Sequence, residues 1–80
     1  MNLKYAVEQR ILALCSEHNF NPNSLAVHCG IDPSTIYSIL GVKSKNPSIT
    51  TIKKICDGFD ITLGEFFSSP EFDALEQEIE

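Results

Sequence analysis

Residues 21–40, N-P-N-S-L-A-V-H-C-G-I-D-P-S-T-I-Y-S-I-L, constrain the fold more than any other part of the chain. They hold two short helical patterns joined by a tight turn. Asn21 is placed to cap the first, and Pro22 takes the first-turn position, where a missing N–H does no harm. Leu25, Ala26 and Cys29 then share one face at helical spacing. Gly30 ends that helix, because a residue without Cβ enters the left-handed backbone region at little cost. Asp32 and Pro33 repeat the cap-and-proline signal, and Ile36, Ile39 and Leu40 give the second helix an inner face.

The flanking sequence continues in the same helical register. Leu3 to His18 reads as a helix with Val7, Ile11, Leu14 and Cys15 inward and Glu8, Gln9 and Arg10 outward. Asn19 to Asn21 form a break. The helix that follows Asp32 should fade near Gly41, and residues 42–47 are polar, basic and closed by Pro47, an exposed loop. Ser48 caps a fourth helix with Ile49, Ile52, Ile55 and Cys56 on its inner face and Gly58 near its end. Phe59 and Ile61 plug the core from the connection. Thr62 caps a short fifth helix carrying Leu63, Phe66 and Phe67. Ser69 and Pro70 open a last turn with Phe72, Leu75 and Ile79 on one side. No strand pattern appears. The expectation is an all-α fold, a four- to five-helix bundle, with a domain over residues 1–67 and a short acidic tail over 68–80.

Charge needs to be read by position. The 80 residues carry 6 Lys and Arg against 11 Asp and Glu, which argues at first against a polyanionic partner. Glu71, Asp73, Glu76, Glu78 and Glu80 all lie in the last ten residues, however, and the charges of residues 1–67 balance. A neutral domain whose bases cluster can still bind nucleic acid, with a modest and salt-sensitive electrostatic share.

Other classes are excluded by what the chain lacks. Cys15, Cys29 and Cys56 are odd in number and widely spaced, with no secretory apolar region at the start, so a reducing cytoplasm is expected and disulfides are not. The longest apolar run, residues 11–15, cannot span a bilayer. His18 and His28 join the cysteines as conceivable zinc ligands, but no C-x2-C pair exists, and adjacent His28 and Cys29 point to different helix faces. No Gly-rich phosphate loop or nucleophile–base pair is present. No metal, cofactor, small-molecule ligand, membrane or enzymatic activity is therefore expected.

Two helices on either side of Gly30 form a helix-turn-helix, whose second helix can lie in the DNA major groove. Two segments extend this reading: L-A-V-H-C-G-I-D-P-S-T-I-Y-S-I, and K-N-P-S-I-T-T-I-K-K-I-C-D-G-F-D-I-T-L-G-E-F-F. On these, residues 11–67 resemble the phage-repressor and Cro-like helix-turn-helix family, also called the xenobiotic-response-element family. The resemblance implies a repressor-like helical bundle that binds operator DNA as a dimer to control transcription. Two departures stand out. Pro22 replaces a phosphate-touching glutamine. Cys15 and Leu40 stand where many members pair an arginine with a glutamate, so an apolar contact is expected in place of that ion pair.

Pro33, Ser34, Tyr37 and Ser38 fall on the outer face of the second helix, where members of the family read base edges. Serine can donate or accept, and Tyr37 brings a ring for a thymine methyl. By resemblance, Asn21, Lys43, Lys45 and Asn46 touch phosphate, and Ile49, Leu63 and Phe66 form the dimer interface. The expected role is a cytoplasmic, sequence-specific repressor of transcription. The rival is a protein-interaction or antitoxin-like module of the same fold with little DNA affinity. Deleting the acidic tail should strengthen non-specific DNA binding if its charge tempers that binding.

Overall fold

Polar side chains that take up free backbone N–H groups start five of the helices in this protein. The computed structural model describes residues 2–41 and 46–77. These form α1 (Leu3–His18), α2 (Pro22–Cys29), α3 (Pro33–Leu40), α4 (Ile49–Phe59), α5 (Leu63–Phe67) and α6 (Pro70–Asp73), with no strand among them. Asn2, Asn21, Asp32, Ser48 and Thr62 accept from Tyr5, Ser24, Ser34, Thr51 and Glu65 in turn. At Asn21 and Thr62 the bond is reciprocal, since Ser24 and Glu65 accept from the cap residue's own N–H.

Three helices end in the left-handed region, at Asn19 (φ 60°), Gly30 (φ 67°) and Asp60 (φ 59°). In each case the next residue donates its N–H back into the helix. Phe20 reaches Cys15 O at 2.8 Å, Ile31 reaches Ala26 O at 2.9 Å, and Ile61 reaches Cys56 O at 3.0 Å. All three are apolar and pack on the core, as this type of helix end favours. At Gly30 the constraint is conformation alone, because a Cβ there would meet nothing. The end of α4 is one turn residue later than the glycine suggested: the helix runs through Gly58 to Phe59, and Asp60 turns the corner.

Each helix puts its expected apolar face inward, and the core draws on α1 to α5 together. Ile49 is the exception. It is 61% exposed, at the first residue of α4 and the rim of its apolar face, so the inner face of that helix begins at Ile52. Arg10 is also more than an outward-facing charge. Its Nε donates to Phe66 O at 2.8 Å and its Nη2 to Glu65 O at 3.0 Å, tying α1 to the end of α5. After α5 the chain stays attached, since Phe72 packs on the core and its ring lies 5.1 Å from that of Phe67. Ile79 lies outside the described residues. Among the described residues no helix is long and apolar enough to cross a membrane.

The approach of α2 to α4 depends on Gly58. A Cβ there would overlap Cys29 Sγ and come within 3.4 Å of Cys29 Cβ and His28 Cδ2. On the same seam, His28 Nε2 donates to Gly58 O at 2.6 Å; the carbonyl can only accept, so Nε2 carries the proton. Two effects compete in Gly58→Ala: overpacking costs about 1–3 kcal/mol, while alanine in a helix gains up to about 1 kcal/mol over glycine. Overpacking should win, with a net loss of about 1–2 kcal/mol in urea unfolding. With Cys29→Ala already in place the overlap disappears, and Gly58→Ala should become stabilising. Equal cost in both backgrounds would contradict this packing.

Candidate nucleic-acid interface

The α2–Gly30–α3 unit is held from below by Leu25, Ala26, Ile31, Ile36 and Ile39, all buried. Burying Ile36 and Ile39 fixes the rotation of α3 and turns Pro33, Ser34, Tyr37 and Ser38 outward. Tyr37 is 50% exposed and both serines are exposed, so the face is not covered by the described part of the acidic tail. That tail sits elsewhere, with α6 against α1 and Phe72 against Phe66 and Phe67. The helical repeat puts residues 34, 37 and 38 on one stripe, since positions three and four apart are neighbours.

The N-terminal end of α3 has a defined polarity. Asp32 Oδ1 accepts from Ser34 N at 2.9 Å and from Ser34 Oγ at 2.8 Å. The Ser34 hydroxyl and then its backbone N–H hold the Asp32 carboxyl below the usual carboxylate range. A carboxylate with a lowered pKa contributes its cap fully above that usual range and loses it as acid protonates the folded form. The Ser34 proton is thus spent within the protein. Ser34 faces outward as an acceptor, where the sequence alone left it free to donate or accept. Asp32 was legible only as a cap; the hydroxyl two residues on, in D-P-S, was the signal that it does more.

Asn21 also has part of its polar capacity engaged. Its Oδ1 accepts from Ser24 N and its own N–H donates to Ser24 Oγ, so its side-chain amide Nδ2 is the group left to face a phosphate. Asn46 is exposed on the approach to α4. Lys43 and Lys45 lie outside the described residues. The other bases are partly occupied. Lys4 Nζ donates to Gly41 O at 3.4 Å and pairs with Glu8, Arg10 clamps α5, and Lys53 pairs with Asp57. Lys54 is exposed.

Of the three residues expected at a dimer interface, Ile49 is exposed, Leu63 is partly buried and Phe66 is fully enclosed in its own protomer. Phe66 therefore offers no area to a second copy. The three cysteines are free thiols, and burial pushes each of them up from the ordinary thiol range. Among the described residues, no three His, Cys, Asp or Glu side chains gather in a metal-binding group.

Comparison with known proteins agrees with this geometry. The family model of the Cro/C1-type HTH DNA-binding domain matches residues 10–71, most of the chain and all of the α2–α3 unit. The crystal structure of the prophage Lp1 protein 11 is similar, with a TM-score of 0.82 at 29% identity. The likeness covers 94% of this chain and 100% of that one. No curated protein matches. An all-helical bundle with a turn at Gly30 and an open polar stripe on α3 thus joins a family match over the same residues, and the chain belongs to the Cro/C1-type helix-turn-helix family of DNA-binding transcription regulators.

Proposed function

We propose that this protein represses transcription by binding operator DNA as a homodimer, with α3 in the major groove. The carrying observation is the uncovered stripe of Ser34, Tyr37 and Ser38 on a helix whose opposite side is locked into the core. In this reading Pro33, Ser34, Tyr37 and Ser38 meet base edges. Asn21, Lys43, Lys45 and Asn46 meet phosphates and set the register of the helix in the groove. One reading helix touches few base pairs, and a two-fold pair of half-sites doubles the contact. The exposed Ile49 and the partly buried Leu63 supply apolar surface for that second copy. The protein acts by binding, not by catalysis, and three free thiols suit the cytoplasm.

Few cations remain for phosphate, so the electrostatic share is modest for each protomer and salt-sensitive. If Lys43, Lys45 and Lys54 each neutralise one phosphate, the logarithm of affinity should fall with the logarithm of salt at a slope of about −3 per protomer. Selection of bound duplexes from a random pool tests the assignment. Two half-sites should emerge with centres about 34 Å apart, one helical turn. Tyr37→Ala should change which sequences are recovered, whereas Lys43→Ala should weaken binding to all of them alike. Recovery of no consensus, or a Lys43→Ala effect confined to one sequence, would overturn the assignment. Capture of a protein partner with no DNA affinity at low salt would favour the interaction-module reading instead.

A further inference from the structure

We infer that Asp32, acting with Ser34, selects cytosine at the base beneath the N-terminal end of α3. This rests on the proposed placement of α3 in the major groove. Both bonds from Ser34 land on Asp32 Oδ1, so the second oxygen, Oδ2, takes part in neither and belongs to an exposed side chain. Ser34 Oγ donates its hydrogen bond to Asp32 and has only lone pairs left to offer. Two neighbouring side chains therefore present acceptors alone.

The four base pairs respond differently to such a surface. Guanine shows N7 and O6 in the major groove, both acceptors, and thymine shows O4 and a methyl group. Neither can donate to Asp32, and each would leave a desolvated carboxylate facing a lone pair. Adenine offers its N6 amino group but with the N7 acceptor beside it. Cytosine offers the N4 amino group with no acceptor next to it on that edge. The carboxylate thus accepts from cytosine and opposes the other bases to differing degrees. Its negative charge also sits close to the phosphates, where it lowers affinity for DNA that lacks the matching base.

Asp32→Asn separates this role from capping. Asparagine caps a helix as well as aspartate does, so the fold should be kept and thermal unfolding should show it. With Oδ1 still bonded to Ser34, the group replacing Oδ2 is an NH2 donor. The outward-facing acceptor becomes a donor and a charge is lost.

The probe is a duplex from random-pool selection in which each cytosine beneath α3 is replaced, one at a time, by an analogue lacking the N4 amino group. Wild type should lose about tenfold in affinity at one such position per half-site. Asp32→Asn should distinguish cytosine from the analogue by less than about twofold and should bind random-sequence DNA more tightly than wild type. Wild-type tolerance of the analogue at every position, or a tenfold preference persisting in Asp32→Asn, would overturn the inference while leaving the proposed function standing. Failure of wild type to bind any duplex at low salt would overturn both.

Discussion

Phe66→Ala is expected to lower stability by about 3–5 kcal/mol, the range for emptying a buried aromatic site. The Phe66 side chain is fully buried and joins α5 and α6 to the rest of the bundle. Its ring meets Phe67 edge-on at 4.9 Å and lies 6.2 Å from Phe72, and the Arg10 guanidinium sits 5.9 Å above it. α5 has five residues, too few to persist as a helix without tertiary contacts. Removing the ring should therefore release α5 and α6 as well as opening a cavity. For a small domain stable by about 5–15 kcal/mol, that is a large part of the total. Urea unfolding with a fixed m-value would measure it. A loss below about 1 kcal/mol would mean that Phe66 is not the keystone of this end of the bundle. Because the ring lies inside one protomer, the loss should be the same at dilutions where any dimer has dissociated.

Arg10→Ala should cost about 2–3 kcal/mol, the scale of hydrogen bonds made by a charged donor. The guanidinium spans two carbonyls in the last turn of α5, Phe66 O and Glu65 O, the second of which also accepts from Ser68 N at 3.3 Å. Its charge also favours that negative helix end and lies over the Phe66 ring. Arg10→Lys should recover little, because a single ammonium cannot reproduce the forked geometry that meets both oxygens. Full recovery by lysine would show that charge near α5, rather than the two-pronged bond, is what matters. Arg10→Ala and Phe66→Ala share partners, so their combined cost should be less than additive.

Much of this structure follows from local chemistry that a sequence displays. The bounds of α1, the caps at Asn21, Asp32, Ser48 and Thr62, and the left-handed corner at Gly30 are each decided within a few residues. The apolar faces are legible for the same reason, as is the outward stripe of α3 once Ile36 and Ile39 are turned inward. What the sequence hid depends on distant neighbours. Arg10 finds its partners 55 and 56 residues away. Gly58 reads as a helix terminator until Cys29 of α2 is seen against it. Ile49 fits the helical period of α4 yet stands at the rim, because period gives an angle and not the depth of cover. Phe66 looks as available for a partner as Leu63 does, and only the closing of α5 on α1 shows that it is used up inside. The polarity of the α3 tip is intermediate: the sequence displays Asp32 as a cap, but the direction of the Ser34 hydroxyl is set only in the folded turn.

Binding through the outer stripe of α3 leaves a residue-by-residue signature in the protein. Titrating 15N-labelled protein with a selected duplex and following the backbone amides measures this position by position. The largest shifts are expected at Ser34, Tyr37 and Ser38, with smaller ones at the start of α2 near Asn21 and at Asn46, and little change along α5 and α6. Shifts concentrated at Phe72 and the acidic end, or none at all in dilute buffer, would contradict binding through α3.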